Sequence, residues 1–373
     1  MIIAGEASGD LHGAALVREA LTRHPSLQFF GMGGVRMREA GVHTLVDAAD
    51  MAVVGLVEVV AHFGTIARAF RTLTRALREE RPELLILIDY PDFNLLLARA
   101  AKKAGVKVLY FISPQVWAWR SGRVKTIAER VDHMAVVFPF EVPFYERAGL
   151  PVTFVGHPLS DLVRPTMSRQ EAESLFGLDP RRKVVGLFPG SRRSEIRRLL
   201  PVIIEAAKKL KRREPAVQFI LPLASSLSRA DIDPYLVGSG IGITVISGKG
   251  YDVMQVCDAI VTASGTVTLE IALMGIPMVI IYKVSFLTYQ IGKRLVEVEH
   301  GGLCNIVAGE RIVQELIQKD CTPVAIADEL QRLLSDPEYA ANMRGKLASV
   351  REKLGTTGAA GRVAELALGM MKG

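Results

Sequence analysis

The sequence predicts an α/β fold built from two Rossmann-like domains that face a cleft. Short apolar runs alternate with segments of helical periodicity over most of the 373 residues. This alternation is typical of parallel βαβ units. Each half of the chain also places a small-residue loop directly after one of these apolar runs. A chain of this length can form two domains, each with a substantial core.

Eleven apolar runs predict the strands. Six lie in the first half, at residues 2–4, 28–31, 84–89, 107–112, 133–137 and 152–155. Five lie in the second half, at residues 184–188, 218–222, 243–246, 259–262 and 278–282. The tail from Ala341 to Met371 has helical periodicity, and we expect it to pack back on the first domain. The predicted domains are residues 1–163 plus about 345–373, and residues 164–344.

The amino-acid composition limits the classes of protein to which the chain can belong. The hydrophobic content is 49% and the mean hydropathy is +0.25, yet no stretch reaches the ~18 uninterrupted apolar residues of a membrane span. No signal-peptide pattern is visible at the start of the chain. The three cysteines are widely spaced and form neither a metal-binding pattern nor a disulfide framework (Cys257, Cys304, Cys321). These features predict a cytoplasmic protein in a reducing compartment.

Positive charge is concentrated in one segment. The formal net charge is +7, and 12 basic residues fall between Arg181 and Arg213, opposed within that segment only by Glu195 and Glu205. Such a segment could meet anionic lipid, a phosphorylated substrate or nucleic acid, or could be a solvated helix face, which suits residues 208–213. No aromatic platform or recognition motif accompanies the charge, so we expect no nucleic-acid partner.

The turn formed by Ser264, Gly265 and Thr266 is the strongest single indication of a ligand site. It follows an apolar run and opens a helical segment, an arrangement that binds anions through unpaired N–H groups and the helix dipole. Glu270 lies one turn later on the same face, where a carboxylate could accept hydrogen bonds from sugar hydroxyls. The pattern favours a sugar nucleotide, with an ordinary βα turn and a solvated glutamate as the alternative.

A glycine loop follows the first predicted strand, at residues 4–10. Gly5 and Gly9 permit a tight turn and close approach of a ligand, with Ser8 between them. Asp10 is expected to cap a helix that begins near Leu11. The loop lacks the third glycine and the downstream acid of the dinucleotide-binding fingerprint.

A second loop, Gly190-Ser191-Arg192, follows the predicted strand at residues 184–188. The Arg192 guanidinium is placed where it could bind a diphosphate through two parallel hydrogen bonds. No Walker lysine pattern accompanies the loop, which argues against a P-loop enzyme.

Two carboxylates stand at the end of the run at residues 84–88. Asp89 closes the strand, at the edge of the sheet where open α/β folds bind ligands. In a partly desolvated position it could act as a general base toward a sugar hydroxyl. Asp92 follows Pro91 and could cap the next helix. The alternative is that both aspartates are structural caps.

Seven motifs, in order along nearly the whole chain, resemble those of the lipid-A-disaccharide synthase family. They are residues 5–10 (GEASGD), 88–94 (IDYPDFN), 113–120 (SPQVWAWR), 156–158 (GHP), 189–192 (PGSR), 264–266 (SGT) with Glu270, and 305–309 (NIVAG). The resemblance implies a GT-B glycosyltransferase, an enzyme with two Rossmann-like domains. It also implies UDP-2,3-diacylglucosamine as donor and 2,3-diacylglucosamine 1-phosphate as acceptor, giving the β(1→6)-linked lipid A disaccharide 1-phosphate and UDP.

The resemblance assigns roles to individual positions. Asp89 matches the family's general base, Arg192 and Glu270 fall on its nucleotide-binding motifs, and Asn305 matches a position linked to activity. The predicted binding residues are Gly5, Ser8, Gly9, Gly190, Ser191, Arg192, Ser264, Gly265, Thr266, Glu270 and Asn305. No metal and no cofactor are expected, because no Asp-x-Asp pair accompanies the diphosphate motifs. Cys304 departs from the family pattern, which usually has proline before the asparagine.

The acyl chains of these substrates require apolar surface. The apolar segment 51–63 could dip into the inner leaflet while basic residues meet anionic head groups, or it could be a core helix. The sequence thus predicts peripheral association with the inner membrane, and a homo-oligomer is compatible with it. The rival hypotheses are another GT-B enzyme acting on UDP-N-acetylglucosamine (an epimerase or glucosaminyltransferase), a nicotinamide oxidoreductase, and a nonenzymatic membrane-binding module.

Overall fold

A computed structural model describes residues 1–51, 63–114, 122–284 and 300–372. The chain divides into two compact units, Met1–Pro158 with Leu354–Gly373, and Leu159–Lys353. The expected boundaries were 163/164 and about 345. The second structural boundary lies later in the chain because the helix Pro337–Lys353 stays whole and packs on other helices of the second unit.

The first unit contains a seven-stranded parallel sheet in the order β3-β2-β1-β4-β5-β6-β7. Its strands are β1 (Ile2–Ala4), β2 (Phe29–Gly33), β3 (Val42–Asp47), β4 (Leu84–Ile88), β5 (Lys107–Phe111), β6 (His133–Val136) and β7 (Val152–Phe154). All six strands predicted for this half are confirmed, and β3 was missed. Strand β4, with sequence LLILI, is buried along its whole length, as expected of a central strand covered on both faces.

The second unit contains a six-stranded parallel sheet in the order β10-β9-β8-β11-β12-β13. Its strands are β8 (Val184–Phe188), β9 (Gln218–Leu223), β10 (Ile243–Ser247), β11 (Ala259–Ala263), β12 (Met278–Tyr282) and β13 (Glu315–Ile317). The five predicted strands are confirmed, and β13 was missed. The predicted class, α/β with parallel sheets in both halves, is therefore confirmed.

Helices connect the strands within each unit. In the first unit they are α1 (Ala7–Arg23), α2 (Val35–Glu39), α3 (Phe63–Glu79), α4 (Pro91–Lys103), α5 (Arg123–Ala128) and α6 (Val142–Glu146). In the second they are α7 (Leu159–Leu162), α8 (Arg169–Leu175), α9 (Arg193–Arg213), α10 (Arg229–Leu236), α11 (Gly250–Val256), α12 (Val267–Leu273), α13 (Leu303–Ala308), α14 (Pro323–Ser335) and α15 (Pro337–Lys353). Short 3₁₀ turns span Ala48–Met51, Pro139–Glu141 and Gln318–Asp320.

The C-terminal tail behaves only partly as predicted. The last helix, α16 (Ala359–Lys372), packs against α1 and belongs to the first unit. Helix α15 instead contacts α12, α13 and α14 of the second unit. The tail therefore divides near Leu354, because each helix buries its apolar face on a different unit.

The expectation for Asp10 is wrong. Helix α1 begins at Ala7, so Asp10 lies inside its first turn and does not cap it. Its buried carboxylate accepts hydrogen bonds from three amides at the start of α2, Gly34 at 2.6 Å and Arg36 and Met37 at 3.0 Å each. Asp10 thus satisfies the otherwise unpaired N–H groups of a neighbouring helix.

The basic segment at residues 181–213, which includes α9, carries fewer unpaired charges than its sequence indicates. The fold brings acids from other segments to it: Asp231 lies 2.8 Å from Arg193, Asp328 lies 2.6 Å from Arg213, and Asp179 pairs with both Arg181 and Arg182. Many of these basic side chains therefore form surface ion pairs, which usually contribute little to stability.

Among the described residues, no helix combines the length and the apolar character needed to cross a membrane. Most of the apolar segment predicted to meet lipid (52–62) lies outside the described residues, as do residues 115–121, which contain the tryptophan pair of the family motif.

Candidate active site

The direction of the chain connections reverses between β1 and β4 in the first sheet. Strands β2 and β3 lie on one side of this point and β5–β7 on the other, while Ala4 pairs with Ile88 across it. The loop at Gly5 and the strand end at Asp89 therefore lie side by side. In open α/β sheets this switch point at the carboxyl ends of the strands is where ligands bind.

Asp89 and Tyr90 both adopt left-handed backbone conformations, with φ of 46° and 50°. For residues other than glycine, this conformation costs roughly 1–2 kcal/mol each. Asn94 Nδ2 and Tyr110 Oη each donate a hydrogen bond to the Asp89 carbonyl oxygen at 2.6 Å. Local strain held by surrounding hydrogen bonds is characteristic of functional sites.

The acidity of Asp89 suits a base. Partial burial raises the pKa of its carboxyl to about 6, the negative charge of Glu6 adds to the increase, and a hydrogen bond from the Tyr90 amide opposes it. The carboxylate is therefore mainly ionised at neutral pH, and it is a stronger base than an ordinary aspartate.

Sequence reasoning missed Glu6. This residue is exposed in the loop after β1, and its charge acts on both Asp89 and Tyr90. Its position between Gly5 and the helix start was the available signal, because loops at the carboxyl ends of strands contain ligand-binding residues in this class of fold.

Gly5 is required for packing. A Cβ atom at this position would lie 2.5 Å from Cδ1 of Tyr90, so only glycine lets that ring lie on the loop. Gly9 similarly lies close to Ala4, where a Cβ would be 3.2 Å from the alanine Cβ. Ser8 is exposed in the first turn of α1. Direct contact of these three residues with a ligand remains a prediction.

Asp92 is not a helix cap. The N-cap position of α4 is Tyr90, and Asp92 lies within the first turn with its side chain 79% exposed. Its Oδ1 lies 2.7 Å from a terminal nitrogen of Arg123. An exposed carboxylate paired with arginine is less suited to accept a proton than the partly buried Asp89 carboxylate.

Two histidines, also missed, lie near the carboxyl end of the first sheet. The His12 ring meets the Phe111 ring edge-on at 6.5 Å, and the His157 ring lies 5.1 Å from that of Phe138. Burial lowers the pKa of His12 to about 4 and that of His157 to about 3, with a further lowering of the latter by His12. Both imidazoles are therefore neutral at physiological pH.

The second sheet has its switch point between β8 and β11, where Phe188 pairs with Thr262. The two loops predicted to bind the nucleotide, at Gly190 and at Ser264, follow these two adjacent strands. The structure thus brings together two motifs that are more than seventy residues apart in the sequence.

The Gly190 loop is closed by Glu195. One oxygen of this carboxylate accepts hydrogen bonds from the amides of Ser191 at 2.9 Å and Arg192 at 3.1 Å. Gly190 has φ of 106°, and a Cβ there would lie 2.2 Å from the same oxygen. The two amides are therefore not available to an anion. The Arg192 guanidinium is 78% exposed and lies 3.6 Å from the other Glu195 oxygen, so an anion at this loop would compete with a long, exposed ion pair.

Glu270 lies in the first turn of the helix that follows the Ser264 turn. Ser264 Oγ donates to the Gly301 carbonyl at 2.6 Å, Thr266 is exposed, and helix α12 begins directly after it. The Tyr251 hydroxyl donates to Glu270 Oε1 at 3.2 Å. Burial raises the pKa of Glu270, and the bond from Tyr251 opposes that shift.

Asn305 is wholly buried, and the protein satisfies its side chain. Its amide nitrogen donates to the Val313 carbonyl and to Glu315, and its oxygen accepts from the amides of Ile312 and Val313. Glu315 in turn accepts from the amides of Gly301 at 2.8 Å and Gly302 at 2.9 Å. Hydrogen bonds through Glu315 and Gly301 thus connect Asn305 to the Ser264 turn, and direct contact of Asn305 with a ligand stays a prediction. Cys304 is accommodated in the first turn of α13.

Potential metal ligands are dispersed. Within the part of the chain that the structure describes, no group of three or more His, Cys, Asp and Glu side chains is arranged to hold a metal ion.

Comparison with known proteins identifies the family. The family model described as lipid-A-disaccharide synthetase matches residues 1–362. The lipid-A-disaccharide synthase of Geobacter sulfurreducens is 68% identical over 371 residues, covering 100% of this chain and 97% of that protein. That of Nitrosococcus oceani is 53% identical over 372 residues, covering 100% and 96%.

Solved structures support the fold. A UDP-N-acetylglucosamine 2-epimerase from Neisseria meningitidis has a TM-score of 0.65 at 15% identity, covering 96% of both chains. A calicheamicin glycosyltransferase has a TM-score of 0.60 at 15% identity, covering 100% of this chain and 96% of that one. At these identities the likeness shows the GT-B fold alone. The sequence relatives decide the rest: the chain belongs to the lipid-A-disaccharide synthetase family and is a glycosyltransferase of lipid A biosynthesis.

Proposed function

We propose that the chain transfers 2,3-diacylglucosamine from UDP to the 6-hydroxyl of 2,3-diacylglucosamine 1-phosphate, with inversion at the anomeric carbon. The bond from the anomeric carbon to the UDP oxygen breaks as the bond to the acceptor oxygen forms. The acceptor proton passes to a base, and UDP leaves as an anion. The products are the β(1→6)-linked disaccharide 1-phosphate and UDP.

The observation that carries this proposal is the environment of Asp89. It stands at the switch point of the first sheet, is partly desolvated beside Glu6, and has a pKa raised to about 6. A general base works best when its pKa is near the working pH. Asp89 therefore accepts the proton of the acceptor hydroxyl.

The donor nucleotide is assigned to the second unit. Arg192 supplies an exposed guanidinium for the diphosphate, and Glu270 supplies a carboxylate for ribose hydroxyls. Both follow strands that meet at the switch point of that sheet. Solved proteins of the same fold carry UDP-N-acetylglucosamine or UDP in their structures, which supports a UDP-linked donor here.

The alternative within this fold is an enzyme acting on UDP-N-acetylglucosamine, such as an epimerase. Several structural neighbours are UDP-N-acetylglucosamine 2-epimerases, at 13–15% identity. The relatives at 53–68% identity are instead disaccharide synthases. A nonenzymatic membrane-binding module would not require a partly buried, strained aspartate.

Release of UDP by the purified protein tests the reaction. We expect release from UDP-2,3-diacylglucosamine only when 2,3-diacylglucosamine 1-phosphate is present, and no turnover of UDP-N-acetylglucosamine. Activity should survive exhaustive treatment with EDTA, because the described residues around both loops form no metal-binding cluster. Acceptor-independent turnover would contradict the synthase proposal, and loss of activity restored by magnesium or manganese would reveal a metal requirement.

We also propose peripheral association with the anionic inner leaflet. Helix α3 carries four exposed arginines, Arg68, Arg71, Arg75 and Arg78, whose spacing places them on one face. Its opposite face is buried in the core through Ala69, Leu73, Ala76 and Leu77. None of the four arginines forms an ion pair within the described part of the chain. The arginine face of α3 complements a surface of lipid phosphates.

The triple variant Arg68→Gln, Arg71→Gln, Arg75→Gln should bind vesicles containing phosphatidylglycerol roughly 100-fold less tightly, since each basic residue near such a surface contributes about 1 kcal/mol. The matched control removes three charges from α9, Lys208→Gln, Lys209→Gln, Arg212→Gln. Vesicle sedimentation at low salt measures both. Equal losses in the two variants would show that only net charge matters, and unchanged binding of the α3 variant would exclude this face.

A further inference from the structure

We propose that Asn94 and Tyr110 are positioning residues that orient the Asp89 carboxylate by clamping the carbonyl of the same residue. This inference rests on the proposed role of Asp89 as the base. Neither residue needs to touch a substrate in order to act. Both act through the backbone geometry at the end of β4.

The strand ends around Asp89 are strained. Three residues other than glycine have left-handed φ there: Asp89 and Tyr90 after β4, and Ile112 after the neighbouring strand β5, with φ of 63°. This backbone conformation determines the direction of the Asp89 Cα–Cβ bond, and hence the region that the carboxylate can reach. A strained conformation of this kind persists only where the surrounding structure holds it.

Two donors from different elements hold it here. Tyr110 Oη, from β5, donates to the Asp89 carbonyl at 2.6 Å. Asn94 Nδ2, from α4, donates to the same oxygen at 2.6 Å and to the Ile88 carbonyl at 3.2 Å. Because both donors are completely buried, water does not compete for these bonds. The carbonyl is thus fixed from two directions.

Asn94 also has an unfavourable effect on stability that its packing does not explain. Its Oδ1 is buried and has no hydrogen-bond partner among the described residues. A buried unpartnered polar atom is destabilising, and a leucine of similar size would avoid it. Such a local violation is expected where a residue serves function, and here the function is supplied by the two bonds that Nδ2 donates.

The test begins with Tyr110→Phe, which removes only the hydroxyl. We expect kcat to fall roughly tenfold with KM unchanged, because a misplaced catalytic group slows the chemical step. Tyr145→Phe is the matched control. Tyr145 is equally buried in the same unit, but its hydroxyl pairs with Ser113 and not with Asp89. The control should lose stability on heating to a similar extent and keep its kcat.

The second readout is the dependence of kcat on pH. In Tyr110→Phe the Asp89 carboxylate should become more exposed to water, which lowers its pKa. The decrease of kcat at acidic pH should therefore occur at lower pH than in the unaltered enzyme. Several titratable groups act around this site: Glu6 from the β1–α1 loop, Tyr110 from β5, Tyr90 and Asp92 at the start of α4, and Tyr145 from α6, which acts on Tyr110. Tyr90 and Tyr110 remain neutral across this range, since burial raises the pKa of both hydroxyls.

The double variant separates positioning from general damage. In the Asp89→Asn background, Tyr110→Phe should cause no further loss of kcat. Asn94→Leu should reproduce the effects of Tyr110→Phe if it folds. Independent, multiplicative losses in the double variant, or an equal fall of kcat in Tyr145→Phe, would overturn the inference. If Asp89→Asn retained turnover, the proposed role of Asp89 as the base would be wrong, whatever result Tyr110→Phe gives.

Discussion

Asp89→Asn is expected to lower turnover by roughly 10²–10⁴-fold, the usual scale for loss of a general base. The amide has nearly the same shape as the carboxylate but cannot accept the proton. The hydrogen bonds donated by Asn94 and Tyr110 are unaffected, because both go to the backbone carbonyl of residue 89. Fold and UDP affinity should therefore be retained. Thermal unfolding and titration with UDP check both, and steady-state kinetics measures the loss.

The matched control is Asp92→Asn, the same chemical change three residues later on an exposed side chain paired with Arg123. We expect less than a threefold change in kcat for this variant. In the unaltered enzyme, activity should fall as the pH drops through about 6, because the raised pKa of Asp89 means that the carboxyl is protonated below that value. Near-normal turnover of Asp89→Asn, or a large loss in Asp92→Asn, would move the base elsewhere.

Glu270→Gln and Arg192→Lys are each expected to weaken UDP binding roughly 10- to 100-fold. Glu270→Gln removes the negative charge of the group that accepts hydrogen bonds from the ribose hydroxyls. Arg192→Lys removes the planar guanidinium, which can bind phosphate through two parallel hydrogen bonds, and leaves an ammonium that cannot bind in this way. Hydrogen bonds to charged groups contribute about 1.5–3 kcal/mol, which corresponds to this range. Calorimetric titration of UDP onto each variant measures the effect.

Arg193→Lys serves as the comparison for Arg192→Lys. The adjacent Arg193 is equally exposed, but it lies 2.8 Å from Asp231, a closer ion pair than the 3.6 Å that separates Arg192 from Glu195. UDP affinity should change little in this variant. Unchanged affinity in both Glu270→Gln and Arg192→Lys would contradict the assignment of the nucleotide to the second unit, and an equal loss in Arg193→Lys would indicate a general charge effect.

The strands that sequence reasoning missed share a physical cause. Both β3 and β13 are edge strands in which polar residues interrupt the apolar run, whereas the other edge strands, β7 and β10, were predicted. In β3, His43 is exposed and the following residues are half-buried. In β13, Glu315 is buried but polar, because its carboxylate is used to hold the backbone at Gly301 and Gly302.

The candidate site likewise contains residues that the sequence could identify and contacts that it could not. Asp89, Arg192 and Glu270 could be selected from their places after apolar runs, because strand ends gather ligand-binding residues in this class of fold. Glu6 could have been selected by the same rule. No local pattern shows that Glu195 occupies the amides of its own loop, or that the side chain of Asn305 is satisfied internally. Those contacts depend on which loops the sheets bring together.

Sequence patterns predicted the α/β class, most of the strands, the two glycine loops and the motifs that mark the family, because each is encoded in short runs and fixed spacings. Tertiary structure alone decided that Asp10 caps α2, that the C-terminal helices divide between the units, and that Asn94 and Tyr110 converge on the Asp89 carbonyl. Periodicity reports which residues are buried. The partner that a buried polar group meets is set by packing between segments far apart in the chain.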